Sequence, residues 1–213
     1  MMRSVLLSSK YIEIFGAIAG IIYVFLEIRQ TIWLWPVGIV TSAVYIWVFF
    51  TGKLYADMSL QGYYLIISIL GWYWWSEGGG QRAEGRGQKG KSRKEELPVT
   101  RLKLRTGIVL SAVFIPLFAV MWLVLDRFTD SPVPGWDSFI TSLSIIATWM
   151  LARKIFEHWF LWIVVNAVAT VLFLTRGLYP TVILYAVYGI MSFTGLAAWR
   201  KTIRSELILP KNE

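Results

Sequence analysis

The chain has 213 residues, of which 56% belong to the class of Ala, Val, Ile, Leu, Met, Phe, Trp, Tyr and Cys, while 16% are charged. Soluble domains carry about 25% charged residues, so this composition indicates a membrane protein and argues against a nucleic-acid-binding domain or a disordered tail. Cysteine is absent, which excludes disulfides, thiolate metal sites and cysteine nucleophiles. The net charge of +8 needs an explanation other than a nucleic-acid partner.

Seven stretches are apolar enough to be α-helices that cross about 30 Å of hydrocarbon, although some of them are short. In chain order they are 11–28, 32–50, 56–75, 107–125, 138–152, 158–175 and 179–199. The fifth has the weakest pattern, because Ser and Thr residues dilute its apolar run. We therefore expect an all-α integral membrane protein with seven transmembrane helices.

The connections between these spans are short except for 76–106, where glycines and basic residues predict a flexible polar loop. The residues 200–213 are expected to form a polar tail. Sixteen Lys and Arg residues lie on the side that holds this loop and the tail, and five lie on the other side. Because cytoplasmic loops carry the Lys and Arg excess, we expect the N-terminus outside and the C-terminus in the cytoplasm.

The second half of the chain repeats the first at a constant offset of 124 residues and without a gap. Of the 63 positions in 13–75, 19 are identical to their counterparts in 137–199. The identical pairs include Trp35 and Trp159, Leu54 and Leu178, Tyr64 and Tyr188, Ser68 and Ser192, Gly71 and Gly195, and Trp75 and Trp199. Agreement of Trp, Tyr and Gly at one offset is hard to produce by apolar composition alone.

The repeat predicts the architecture. The residues 1–75 and 126–199 each hold three spans, and 107–125 is a linker helix between them. Three spans reverse the direction of the chain and the linker reverses it again, so the two triplets are expected to insert parallel to each other. Such parallel repeats form a 3+1+3 arrangement that recurs in transporters, with the substrate held near the midplane.

Neutral polar and aromatic side chains recur at helical spacing inside the spans. Trp162 and Asn166 share one face of the sixth span, and Tyr185, Tyr188 and Ser192 share one face of the seventh. Because an unpaired polar group is costly in hydrocarbon, such faces are expected to line the interior of the bundle. The predicted substrate-binding residues are Gln61, Tyr64, Thr148, Trp162, Asn166, Tyr185, Tyr188 and Ser192. This lining suits a solute with hydroxyls and an aromatic or carboxamide part.

Several of these residues also have structural interpretations. Asn166 and Gln61 suit hydrogen bonds between helices as well as a ligand. The aromatic belt at the membrane interface explains most Trp residues as anchors, since nine of the twelve lie toward the cytoplasmic ends of spans. Trp35 and Trp159, repeat counterparts near those ends, are gate candidates. His158 is expected to be a solvated or capping residue at the interface.

The residues of the chain also exclude several classes of function. The sequence holds no Ser/His/Asp set, no histidine pair at metal spacing and no Gly-rich loop after a strand, so an enzyme, a metal site and a cofactor are not expected. The seventh span has no Lys for a retinal Schiff base. A transporter is favoured, and a non-transporting seven-helix sensor stays as the alternative.

Four motifs resemble those of the PnuC family of bacterial vitamin transporters, and the resemblance covers about residues 11–200. They are Leu54-Tyr55-Ala56-Asp57, Gly71-Trp72-Tyr73-Trp74-Trp75, Glu157-His158-Trp159-xx-Trp162-xxx-Asn166 and Gly177-Leu178-Tyr179. The segment around Trp159, Trp162 and Asn166 is the most specific.

The resemblance implies a fold similar to the SWEET sugar transporters and an importer of nicotinamide riboside in the bacterial inner membrane. It implies facilitated diffusion, drawn forward by phosphorylation of the substrate in the cytosol, and a homo-oligomer for which a trimer is one candidate. The expected partners are the substrate and the lipid bilayer, with no nucleic acid. Related family members carry other vitamins, so thiamine is the alternative substrate.

Overall fold

The structure, a computed structural model, describes residues 2–51, 55–77, 97–129 and 131–208, with side chains at 14–51, 57–77, 97–129 and 131–205. These residues form seven α-helices and no strand longer than one isolated bridge. The helices are α1 (Met2–Ile28), α2 (Leu34–Thr51), α3 (Tyr55–Ser76), α4 (Leu104–Phe128), α5 (Pro134–Ala152), α6 (His158–Thr175) and α7 (Tyr179–Ile208). The all-α fold predicted from the sequence is confirmed.

Within the described chain, α2, α4, α6 and the Tyr179–Ser205 part of α7 are long and apolar enough to cross a membrane. The described apolar part of α1, Ile14–Ile28, is shorter. α4 has no buried residue, and side chains such as Ile115 are mostly exposed, at 69%. The exposed apolar side chains along this helix suit contact with lipid tails.

The chain divides into two compact units, Met1–Leu97 and Pro98–Glu213. In the first unit α2 packs against both α1 and α3; in the second unit each helix from α4 to α7 packs against the next. α4 is therefore more than a linker. Its Phe114 ring meets Phe139 of α5 edge-on at 5.9 Å, and it covers an apolar cluster formed by Ile146, Met150 and Ile155.

The helix boundaries follow the repeat. The offset of 124 residues separates the end of α1 from the end of α5, and the start of α3 from the start of α7. It also separates both ends of α2 from those of α6. The turn after the first helix of each triplet contains a residue in the left-handed conformation at equivalent positions, Gln30 (φ 54°) and Lys154 (φ 49°). Left-handed non-glycine residues are uncommon, so the two triplets share one backbone design.

The second and third helices of the first unit meet through tryptophan and glycine. A Cβ atom on Gly71 of α3 would overlap the indole of Trp35 on α2, so the ring occupies the space that any other residue would fill. The Trp35 ring also meets Trp75 edge-on, with centroids 5.4 Å apart and an interplanar angle of 88°. Trp35 is fully buried and Trp75 is 7% exposed.

The second unit repeats this contact with the equivalent residues. A Cβ atom on Gly195 of α7 would overlap the indole of Trp159, and Trp159 meets Trp199 edge-on at 5.9 Å and 81°. Both Trp residues are buried. The expectation that most Trp residues are interface anchors is therefore wrong for these four, because their rings fill the space beside a glycine. Trp33, at 69% exposure, suits an anchor.

The structure orders part of the segment expected to be a flexible loop. Thr100 forms a parallel bridge with Ile155, with its N–H 2.9 Å from the Lys154 oxygen and its oxygen 2.9 Å from the Phe156 nitrogen. The Leu102 N–H donates to Glu157 Oε2 at 2.7 Å. These backbone groups thus have partners in the α5–α6 turn. α4 accordingly begins at Leu104, earlier than expected.

α7 continues to Ile208, so the first residues of the expected polar tail are helical. The residues 78–96, with six of the basic residues that oriented the spans, and 209–213, with Lys211, lie outside the described residues. The sidedness of the termini therefore stays a prediction.

The tryptophan–glycine contact predicts that Gly71→Ala and Gly195→Ala destabilise the protein. Overpacking costs about 1–3 kcal/mol, so we expect a clearly lower apparent melting temperature in detergent. Gly62→Ala is the matched control on α3, because nothing lies within 4 Å of its added Cβ. Alanine favours a helix interior, so Gly62→Ala is expected to be neutral or stabilising. Equal melting temperatures for Gly71→Ala and Gly62→Ala would contradict the contact.

Candidate functional site

The polar interior of the second unit is centred on Asn166 of α6, which is 5% exposed. Its Nδ2 donates to Ser192 Oγ of α7 at 3.1 Å, and the Ser192 hydroxyl donates to the Tyr188 backbone oxygen at 2.8 Å. Gly189 of α7 lies opposite Asn166, and a Cβ added there would make an ordinary contact with the Asn166 Cβ at 3.8 Å. The second amide hydrogen and Oδ1 of Asn166 form no hydrogen bond within the described chain, so the amide is held in place and can still donate and accept.

Two tyrosines of α7 lie on the turns that precede Ser192. The Tyr185 ring stacks on Phe173 at 5.2 Å and 28°, and meets Tyr188 edge-on at 5.9 Å and 79°. Both tyrosines are half-buried. Aromatic rings of this kind can stack on a flat ligand or interact with a cation.

Trp162 lies one turn before Asn166 on α6 and is half-buried. Its Nε1 atom is buried and has no hydrogen-bond partner in the described chain. The Nε1 atoms of Trp35 and Trp159 share this property, but their rings are almost fully buried against glycine. Since an unpaired buried donor costs about 1–3 kcal/mol, a ligand acceptor at Trp162 would be favourable.

Thr148 lies on α5, the helix that packs against α6, and is 6% exposed. Its hydroxyl donates to the Ser144 backbone oxygen at 2.8 Å, and the Ser144 hydroxyl donates to the Ile140 oxygen at 2.8 Å. Both hydrogens are therefore used within α5. For a ligand, Thr148 offers only the acceptor lone pairs of its oxygen.

The first unit carries different chemistry at the equivalent positions. Ser42 and Ser68, both buried, stand where the second unit has Asn166 and Ser192. Gln61 and Tyr64 are half-buried on α3, and Tyr64 meets Tyr63 edge-on at 5.5 Å. The amide that the second unit places on α6 is thus replaced by a hydroxyl on α2.

The position of Trp162 is occupied in the first unit by Gly38. There Ser68 of α3 and Tyr23 of α1 share the space, because a Cβ on Gly38 would lie 2.8 Å from Ser68 Oγ and 3.2 Å from the Tyr23 Cε2 atom. The counterpart of Tyr23 in the second unit is the small residue Ala147. The large aromatic residue therefore comes from the first helix of one triplet and from the middle helix of the other.

Sequence reasoning missed Glu27, which is 2% exposed in the last turn of α1. The Glu27 carboxylate lies close enough to the Tyr23 phenol to interact with it electrostatically. Tyr63 and Tyr64 also interact with Tyr23 in this way. The available signal was an acid inside an otherwise apolar helix, a pattern that marks functional or paired groups in membranes.

His158 is fully buried, so the expectation that it is solvated is wrong. Its Nδ1 lies 2.7 Å from the Ile155 oxygen, and its ring lies 4.7 Å from both Trp159 and Trp199. The histidine occupies the position that Leu34 holds in the first unit, where an interior side chain is required.

The gate candidates Trp35 and Trp159 both lie in the packing of their own units. This placement assigns them a structural contact, and their role as gates stays a prediction.

The apolar stretches of six helices contain no basic residue. Neither Lys nor Arg occurs in 14–28, 34–51, 55–76, 134–152, 158–175 or 179–199. No group of three or more potential metal-ligating His, Cys, Asp or Glu side chains occurs among the described residues. The candidate residues of the second unit are therefore neutral donors, acceptors and aromatic rings.

Comparison with known proteins places this arrangement among transporters. A family model described as nicotinamide mononucleotide transporter matches residues 10–201. The nicotinamide riboside transporter PnuC of Escherichia coli (strain K12) is 28% identical over 212 residues, which cover 92% of this chain and 87% of that protein. The riboflavin/roseoflavin transporter RibM of Streptomyces davaonensis is 26% identical over 191 residues, which cover 88% and 83%.

A solved structure has the same fold. The crystal structure of the vitamin B3 transporter PnuC aligns with a TM-score of 0.68 at 22% identity, covering 94% of this chain and 85% of that chain. The integral membrane helical fold expected from the sequence is confirmed by this likeness.

The Asn166–Ser192 contact predicts that Ser192→Ala destabilises the second unit. The substitution leaves the buried Asn166 amide without its partner, and we expect a loss of about 1–2 kcal/mol in the free energy of unfolding. Thr194→Ala is the matched control, since Thr194 is exposed on the same helix and its hydroxyl donates only to the Met191 oxygen. Thermal unfolding in detergent measures both, and equal stability of the two variants would contradict the contact.

Proposed function

The chain belongs to the nicotinamide mononucleotide transporter family, and from that premise we propose that it imports nicotinamide riboside. Membership of this family makes it a membrane transporter and not an enzyme. The proposed substrate is the nucleoside that the name of the E. coli relative states. The family description names the phosphorylated nucleotide, so the choice between the two needs a physical argument.

The apolar stretches of the helices contain no Lys or Arg, and this observation favours the nucleoside over the nucleotide as the substrate. A phosphate group brings about two negative charges, and burying them without a counter-charge or several hydrogen bonds is strongly unfavourable. Nicotinamide riboside has no phosphate and carries a single positive charge on its aromatic ring. That charge is compatible with an interior of tyrosine and tryptophan faces.

The chemistry of the second unit matches the parts of this substrate. We assign the carboxamide to Asn166, whose remaining donor and acceptor match an amide. The ring is assigned to the faces of Tyr185 and Tyr188, and the Trp162 N–H is assigned to a substrate oxygen. Ser192 orients Asn166 by accepting a hydrogen bond from its amide. We assign the Thr148 oxygen as the acceptor of a hydrogen bond from a ribose hydroxyl. Gln61 and Tyr64 are the proposed binding residues of the first unit.

Riboflavin is a second candidate substrate, because RibM is nearly as similar to this chain as PnuC. A flavin also stacks on aromatic faces and pairs with amides. Thiamine, which shares the positive charge, is a further alternative. A binding comparison across these vitamins decides between them.

The proposed mechanism is facilitated diffusion by alternating access, with cytosolic phosphorylation that traps the product. In support, the proposed binding residues of the second unit are all neutral side chains that do not change charge near pH 7. Glu27 is the buried carboxyl described in the first unit, so the transport test includes a proton gradient. A homo-oligomer, with a trimer as its expected form, the inner-membrane location and the cytoplasmic C-terminus remain part of the proposal.

Calorimetric titration of the purified protein is expected to show binding of nicotinamide riboside and at least tenfold weaker binding of the mononucleotide. Asn166→Ala is expected to weaken riboside binding about tenfold, since the loss of a buried hydrogen-bonding group costs about 1–2 kcal/mol. Thr175→Ala is the control, because Thr175 is exposed at the end of the same helix. Tight binding of riboflavin or thiamine without binding of the riboside would overturn the substrate assignment.

Uptake into proteoliposomes is expected to proceed without any imposed gradient and to stop when inside and outside concentrations are equal. An enclosed riboside kinase with ATP is expected to raise the accumulated label above this level. Imposed sodium or proton gradients are expected to leave the initial rate unchanged. Accumulation that requires either gradient would exclude facilitated diffusion, and binding without flux would favour the sensor.

A further inference from the structure

One end of the second unit carries exposed basic residues that the proposed transport site does not use. We call them the basic rim: Arg101, Lys103, Arg105, Arg200, Lys201 and Arg204. All six side chains are exposed, and no ion pair is found for any of them within the described chain. Their charge therefore faces outward.

Contacts along the second unit place the rim at a single end. Arg200 follows Trp199, whose ring lies 4.7 Å from His158 at the start of α6. Arg101 lies in the segment that bridges the α5–α6 turn through Thr100, and this segment leads into α4. The end of α5 and the starts of α4 and α6 meet at this turn, and the last turns of α7 continue past it.

The rim lies at the depth expected for lipid headgroups. The apolar part of the second unit ends at Ala152 and His158, beside Trp199. At 1.5 Å per helical residue, Arg200 to Arg204 lie about 2–8 Å beyond Trp199. The polar layer on each side of the hydrocarbon is about 5–8 Å thick, and long basic side chains reach into it while their stems stay on apolar surface.

Part of the rim is held in position by the fold. The Arg101 guanidinium lies over the Phe156 ring, 5.2 Å from its centroid. The neighbouring Leu102 N–H donates to Glu157 Oε2 at 2.7 Å, so the carboxylate at this turn is already engaged by the backbone. The arrangement is a set of preplaced cations with little opposing charge among the described side chains.

We propose that the basic rim binds the phosphate groups of anionic phospholipids in the adjoining leaflet. Each Lys or Arg near an anionic membrane surface contributes about fivefold to the affinity. Lipid bound there joins the ends of α4 and α7, which the chain itself does not link in sequence. The proposal concerns the membrane around the transporter and is independent of the transported solute.

The test measures tryptophan quenching of the full chain reconstituted with brominated phosphatidylglycerol or brominated phosphatidylcholine. The unsubstituted protein is expected to prefer phosphatidylglycerol, and high salt is expected to reduce the preference. In the triple variant R200Q/K201Q/R204Q, the preference for phosphatidylglycerol over phosphatidylcholine is expected to fall at least fivefold. Arg127→Gln, at the opposite end of α4, is the control and is expected to retain the full preference.

An unchanged melting temperature in detergent shows that the triple variant is folded. If it does not fold, Arg204→Gln alone is measured, with an expected reduction of the preference by about fivefold. Equal quenching by the two lipids in the unsubstituted protein would overturn the proposal, as would an unchanged preference in the variants. Loss of the preference on addition of millimolar inorganic phosphate at constant ionic strength would assign the rim to a soluble anion instead of a lipid.

Discussion

The close contact between a tryptophan ring and a glycine joins α2 to α3 in the first unit and α6 to α7 in the second. Inside a bilayer, lipid tails are as apolar as the side chains, so helix association depends on close packing at small residues. Gly71 and Gly195 supply that space, and Trp35 and Trp159 fill it. This contact packs α7 against α6, and Asn166 and Ser192 lie 3.1 Å apart about two turns along α6 from Trp159 and one turn along α7 from Gly195. The polar interior depends on the apolar contact.

The two units share this frame and differ in chemistry. The helix ends, the left-handed turn residue and the tryptophan–glycine contact recur at equivalent positions. Two interior positions differ, since Asn166 and Trp162 in the second unit replace Ser42 and Gly38 in the first. The positions of the tryptophan–glycine contact leave room for few residue types. At the interior polar positions, different side chains can be exchanged as long as their polar groups have partners. Substrate recognition can therefore differ between relatives on one fold.

In the second unit, charged side chains lie toward the two ends of the apolar stretches. The interior positions are neutral or aromatic, while Arg176 pairs with Asp137 at 3.3 Å at one end of the second unit and the basic rim lies at the other. This division follows from the cost of an unpaired charge in hydrocarbon. It disfavours a phosphorylated substrate in the interior and leaves the basic residues to the membrane surface.

The sequence by itself determined the all-α class, the seven helices, the offset of the repeat and the shared face of Trp162 and Asn166. These features follow from hydropathy and helical spacing, which are properties of neighbouring positions. Only the tertiary structure decided that Trp35 is interior packing, that His158 and Glu27 are buried and that α4 packs on α5. Burial depends on which distant residue covers a face, and a hydropathy pattern does not contain that information.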